Sequence, residues 1–238
     1  MINYLANPER FMRISGPVAW LAGALAAVLL LWGGYLGLFV APPEADQREY
    51  VRMVFMHAPV ASLSLMGYTA LGVASFFYLV WRHSLADAAA RAIAPLGAMF
   101  AFLALVTGSI YSRPTWGTWW EWEGRLASTL VLFLFYLGYI ALRAAIDDER
   151  QSARAGAILA LVGLVNVPIV YFSVDWWATL HQRGTGLGRS LAPEFRLPFY
   201  LCLGGFALLF LALALVRTRT AVYRKRAEAL QRAAERAA

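Results

Sequence analysis

Six stretches without a charged side chain divide this chain, and they constrain its fold more than any other feature. They cover residues 14–43, 53–81, 92–112, 126–142, 155–174 and 197–216, with lengths of 30, 29, 21, 17, 20 and 20 residues. An α-helix needs about 17–25 residues to cross the hydrocarbon core of a bilayer. Within lipid, only helices and closed barrels satisfy every backbone polar group. The composition agrees: 15% of residues are charged, against about 25% in soluble domains. The expected fold is an all-α integral membrane protein with six transmembrane helices, the fifth kinked where Asn166 and Pro168 lie inside its block, so that freed carbonyls need neighbours. No internal repeat is evident, so one domain is expected over residues 1–216, followed by a basic helical tail over 217–238.

The basic residues orient this bundle. Segments on the N-terminal side carry fourteen of the 21 Lys and Arg residues, seven of them between Arg217 and Arg236. The opposite segments carry Arg48, Arg52, Arg113, Arg125, Arg183, Arg189 and Arg196. The acids divide evenly, so the net charge of +7 lies on the N-terminal side. Excess Lys and Arg mark cytoplasmic loops, which predicts both termini inside. The basic balance therefore reflects membrane topology and gives no support to nucleic-acid binding. The first block is longer than a signal-peptide core, and Trp32, Tyr35 and Phe39 stand where small cleavage-site residues would be needed. An uncleaved first span is expected. Cys202 is the single cysteine, a small apolar residue of the last span, so no disulfide forms within the chain. No C-x-x-C-H run is present, which excludes covalent haem attachment by that motif.

Between the third and fourth blocks lies Trp116-Gly117-Thr118-Trp119-Trp120-Glu121-Trp122-Glu123-Gly124-Arg125, with four tryptophans in seven residues. Membrane-interface belts place single tryptophans at span ends, and this run is far denser. Trp116, Trp119, Trp120 and Glu123 recur at helical spacing, with Pro114 suited to a start and Gly124 to an end. The pattern predicts a short interfacial helix that offers a wall of indoles to a large flat ligand.

The histidines add a second signal. His57 stands just before the helix start expected near Pro59, where the positive end of the helix dipole disfavours imidazolium. Neutral imidazole is the form that binds metal. His181 follows Ser173-Val174-Asp175-Trp176-Trp177, and a short capped helix there would set Trp177 and His181 on one face at i, i+4. His83 lies in a basic turn and reads as a solvated loop residue. Two neutral imidazoles with indoles between them suit a porphyrin, whose iron takes two axial nitrogens. Its propionates need cations, and Arg52, Arg113, Arg125 and Arg183 lie toward the same surface. Two histidines alone make a poor zinc site, although Glu123 or Asp175 could complete one. Gly184-Thr185-Gly186-Leu187-Gly188-Arg189-Ser190 lacks the lysine and spacing of a phosphate loop and follows no strand. No carboxylate or basic residue sits mid-span, which argues against an ion-coupled permease or proton pump.

These residues resemble the haem-handling family marked by the WWD domain, and within it the haem exporter protein C (CcmC) members of cytochrome c maturation. The likeness lies in the tryptophan run, in Met56-His57-Ala58-Pro59, in Gly108 through Thr115, and in Asn166-Val167-Pro168 through Trp177 to His181-Gln182. It covers about residues 10–217. One departure is Glu123, where the family carries aspartate. The resemblance implies a multi-pass protein of the bacterial inner membrane that is not an enzyme. It implies non-covalent haem b held on the periplasmic face, with His57 and His181 as axial ligands. Trp116, Trp119, Trp120, Trp122 and Trp177 would form the platform, with Glu123, Arg125 and Arg52 beside it. The implied partners are the haem chaperone CcmE, the ATPase pair CcmA and CcmB, the small membrane protein CcmD and membrane lipid. The competing reading is a membrane haem protein that relays electrons from quinol.

Overall fold

The computed structural model describes residues 7–181 and 191–237, in which helices are joined by short connections. Helix α1 (Pro8–Tyr35) opens on Asn7, whose side-chain oxygen accepts from the backbone N–H groups of Glu9 and Arg10, with proline in the first turn. It widens into a π-turn over Leu36–Val40, ending before Pro42 and Pro43. A 3-10 turn, Glu49–Met53, leads directly into α2 (Val54–Trp81). Then follow α3 (Ser84–Trp116), α4 (Gly124–Ala145), α5 (Glu149–Leu164), α6 (Asn166–Trp176) and α7 (Pro193–Ala237). Counting α5 and α6 as one interrupted span, six segments are long and apolar enough to cross a membrane.

The expected spans are present, and most are longer than their uncharged blocks. α3 begins at Ser84 rather than near Ala92, because the basic turn is helical beyond Arg82 and His83. His83 is half-buried at the N-cap position of α3, where a free loop was expected. The break foreseen at Asn166 and Pro168 separates α5 from α6 at Val165. Pro168 has no N–H to offer the Leu164 carbonyl, and beside this break Asn166 Nδ2 donates to the Ser128 carbonyl of α4 at 2.9 Å. α7 passes residue 216 without interruption.

Small residues set the packing. α3 turns Ala90, Ala94, Gly97, Ala98, Ala101 and Ala104 inward, so that neighbouring backbones approach closely. Tyr136 of α4 lies directly against Gly97, where any Cβ would collide with its ring, and its hydroxyl donates to the Ser64 carbonyl at 2.8 Å. Tyr68 of α2 lies against Gly163 in the same way, edge-on to Tyr136 at 4.8 Å. These rings belong, with Leu71, Ala94, Ala101, Leu132 and Ala160, to the largest buried cluster among the described residues, shared by α2, α3, α4 and α5. α1 packs chiefly on α7 and turns Trp20, Leu31 and other large apolar side chains outward. An outward apolar girdle is what a lipid-facing surface requires.

At the end carrying the α2–α3 turn, a buried ion pair joins the first turn of α3 to the last turn of α4. The Arg143 guanidinium donates in a fork to both oxygens of Asp87, with 4% and 5% of the two side chains exposed. Removing one partner of such a pair strands a buried charge at a cost of about 3–5 kcal/mol, whereas replacing both with apolar groups is nearly neutral. Asp87→Asn or Arg143→Met should therefore lower the thermal unfolding midpoint in detergent markedly. The double variant Asp87→Leu/Arg143→Met should recover most of the loss.

Candidate functional site

The other end of the bundle gathers the residues that the sequence singled out. α2 and α3 are antiparallel neighbours, so the first turn of α2 meets the last turns of α3. His57 lies inside that first turn and not ahead of it, because the helix begins at Val54, continuing the 3-10 turn before it. Its Nδ1 is 3.0 Å from Thr107 Oγ1, and its ring meets Tyr111 edge-on at 6.2 Å. A Cβ at Gly108 would stand 2.9 Å from the imidazole Cε1, so this glycine admits the ring.

The state of that imidazole follows from its neighbour. The Thr107 hydroxyl hydrogen is directed at the Leu103 carbonyl, 2.6 Å away. A hydroxyl has one hydrogen to give, so toward His57 the oxygen can only accept. Nδ1 therefore carries the proton and Nε2 keeps a free lone pair.

The tryptophan segment is not the interfacial helix that its spacing predicts. α3 runs through Pro114, losing one ladder bond, and ends at Trp116. Gly117 then takes a left-handed conformation, φ +81°, its N–H bonded to the Arg113 carbonyl and its own carbonyl receiving the Arg113 side chain. Thr118 turns its hydroxyl onto Trp120, a local bond that competes with helix. Residues 118–123 are consequently irregular, and the indoles face different ways. Trp116 meets the His181 ring edge-on at 5.0 Å. Trp120 and Trp122 meet each other at 5.3 Å and roof an open apolar groove of about 600 Å³ between α3 and α4. Trp119 is exposed, and its carbonyl accepts from Ser109. Gly124, expected to close a helix, instead opens α4.

Glu123 explains that boundary. It is the N-cap of α4, with Oε1 accepting from Leu126 N at 3.3 Å. The same Oε1 lies 2.8 Å from His181 Nδ1, with the ring N–H not aligned on it, and Oε2 accepts from the Thr179 hydroxyl. Thr179 Oγ1 in turn receives the His181 backbone N–H at 3.1 Å. One carboxylate thus caps a helix and ties the 179–181 strand of chain across it.

The second outer element is corrected likewise. α6 extends to Trp176, and Trp177 is already extended at φ −128°, ψ 159°. Trp177 and His181 therefore do not share a helical face. The crossing to Glu123 pulls the chain out of helix, and Trp177 lies instead against Gly124, where a Cβ would be 2.8 Å from its ring.

The arginines separate by what they already hold. Arg52 donates to the Gly37 and Leu38 carbonyls, which the π-turn leaves open, and pairs with Glu49 at 2.6 Å. Arg113 is engaged at Gly117. Arg125 donates to the Tyr171 carbonyl at 3.3 Å, while its buried Nε has no partner among the described residues. Arg183 and the glycine-rich segment lie outside the described residues. Thr107, Gly108, Tyr111 and Thr179 were not legible as site residues, because ordinary side chains acquire such roles only when helices meet. Among the described residues no group of three or more His, Cys, Asp or Glu is placed to hold a metal ion, so a zinc centre finds no third ligand.

A family model described as CcmC, heme exporter protein C, matches residues 1–233. The chain belongs to the CcmC family. It is 48% identical over 231 residues to a heme exporter protein C of Bradyrhizobium diazoefficiens, covering 95% of this chain and 87% of that one. It is 44% identical to the protein of that name from Escherichia coli K12, covering 93% and 90%, and 42% identical to that of Paracoccus denitrificans, covering 94% and 95%. CcmC membership and six apolar spans make this a multi-helix membrane protein.

The three duties of Glu123 make its length testable. Aspartate can still cap α4 but falls one methylene short of Thr179 and His181. Alanine loses the cap too, at about 1 kcal/mol. Thermal unfolding midpoints should fall in the order wild type, Glu123→Asp, Glu123→Ala. Equal midpoints for all three proteins would show that the carboxylate secures nothing.

Proposed function

We propose that this chain binds haem b between His57 and His181, on the periplasmic face of a bacterial inner membrane, and delivers it to the chaperone CcmE during c-type cytochrome maturation. Haem is cargo here. The observation that carries the reading is the polarity of the His57 imidazole: Thr107 takes its Nδ1–H, and Nε2 makes no hydrogen bond among the described residues. A metal-binding histidine is oriented by a partner on its other nitrogen in this way. For His181 the carboxylate of Glu123 stands beside Nδ1, the arrangement that favours Nε2 as a ligand.

The surroundings suit a porphyrin. Trp119, Trp122 and Trp177 expose 57%, 76% and 48% of their surfaces, an apolar area that a flat ring would cover. Arg125, whose Nε has no partner among the described residues, is the cation for a propionate. Arg52, engaged by two carbonyls and Glu49, instead secures the turn that leads into α2. The chain's own residues grip, orient and release, with no bond made or broken on a substrate. Delivery would engage CcmA, CcmB and CcmD, the first two supplying energy from ATP. The name shared by the relatives, heme exporter protein C, supports this assignment.

His57→Ala and His181→Ala should each remove one axial ligand. The Soret and α/β bands of protein purified with haem should then change from a six-coordinate to a five-coordinate pattern. An unaltered six-coordinate spectrum in both variants sinks the ligand assignment. Thr107→Val keeps shape but removes the acceptor for Nδ1–H. Loss of such an outer partner weakens metal affinity about 10–100-fold. Haem titration of the Thr107→Val protein should show a drop in that range, with the six-coordinate spectrum retained at saturation.

A further inference from the structure

The end of the bundle opposite His57 and His181 holds a cavity of about 640 Å³, with charged side chains in its lining, that haem handling leaves unused. Arg82 lines it from the end of α2, Asp87 from α3, Glu149, Arg150 and Arg154 from α5, and Lys225 from α7. Its two carboxylates are already matched. Asp87 is held by Arg143, and Glu149 lies 2.6 Å from Lys225 and 4.0 Å from Arg91. Arg82, Arg150 and Arg154 remain. Among the described residues none of the three has a carboxylate partner, and Arg82 meets only the Tyr78 ring at 6.0 Å. Arg150 and Arg154 are one helical turn apart on α5, so their guanidinium groups share a face.

The depth of the cavity narrows the ligand. Trp81, the residue before Arg82, stacks on Phe77 at 5.1 Å, and both rings are exposed as lipid-facing side chains would be. Tryptophan in that setting marks the membrane–water interface. On α5 the uncharged block begins at Ala155, immediately after Arg154. The three unmatched arginines therefore ring a cavity at headgroup level, one turn beyond the hydrocarbon. Guanidinium forks match phosphate oxygens, and basic cavities between spans take anionic headgroups. We propose that this cavity binds the phosphate of an anionic phospholipid headgroup.

The test uses the full chain, delipidated in detergent and titrated with phosphatidylglycerol or phosphatidylcholine, with bound lipid counted by native mass spectrometry. Phosphatidylglycerol should bind roughly 10–100-fold more tightly than phosphatidylcholine. The triple variant Arg82→Gln/Arg150→Gln/Arg154→Gln should lose that preference, and Arg154→Gln alone should lose part of it. Arg217→Gln/Arg226→Gln/Arg236→Gln removes the same charge elsewhere and should keep it. An unchanged preference in the cavity triple overturns the site. Equal loss in both triples overturns it too, because it shows diffuse attraction. A parallel titration with inorganic phosphate, read by thermal shift, separates the sources. If free phosphate protects the protein as well as the lipid does at equal concentration, the lipid assignment fails.

Discussion

The close approach of α2, α3 and α4 is the contact on which the rest of this molecule depends. Helices in lipid gain nothing from apolar burial that the acyl chains do not already offer, so they associate through packing and hydrogen bonds. Here the packing is ring against glycine. Tyr136 lies on Gly97 and Tyr68 on Gly163, with the Tyr136 hydroxyl closing onto a backbone carbonyl of α2. Larger residues at either glycine would push the helices apart. Because α2 and α3 are clamped in this register, His57 arrives opposite Thr107 and Gly108 some turns away. A mid-bundle contact thereby sets which nitrogen of an end-of-bundle imidazole is free.

At that end, order is imposed by polar groups more than by apolar burial. The connection between α3 and α4 has no regular structure and exposes much of its indole surface. It is held by a left-handed Gly117, by the Thr118 turn and by the Glu123 carboxylate. A loop pinned in this way keeps much of Trp119 and Trp122 uncovered, even though Trp122 touches Trp120. These few polar contacts fix the path of the irregular segment and leave Trp119 and Trp122 exposed. At the opposite end the charged groups do the reverse work, closing α3 against α4 through Asp87 and Arg143 and fastening the continuation of α7 through Lys225 and Arg219.

Much of the fold was legible because lipid leaves a chain few choices. Six uncharged blocks yielded six spans, and Asn166 with Pro168 announced the break between α5 and α6. The two short helices were misjudged for one shared reason. Trp116, Trp119, Trp120 and Glu123 carry helical spacing, as do Trp177 and His181, yet spacing describes a face only where the backbone is helical. Gly117 ended one run, and the pull of Glu123 on Thr179 kept the other extended. Arg52 looked like a free cation until the π-turn presented it with two open carbonyls. Thr107 could not have been nominated, since a threonine within an apolar block reads as one more helix residue.

By itself the sequence determined that this is a multi-span membrane chain, that a dense tryptophan run lies between its third and fourth spans, and which family it joins. Those properties are one-dimensional: runs of uncharged residues, positions of tryptophan, and motifs in order. Tertiary structure alone decided that Glu123 serves helix cap and histidine partner together, that Thr107 sets the proton on His57, and that three arginines from two helices surround one cavity. Each of these depends on the register between helices far apart in the chain. That register comes from side chains fitting glycine-lined surfaces, a property no single segment contains.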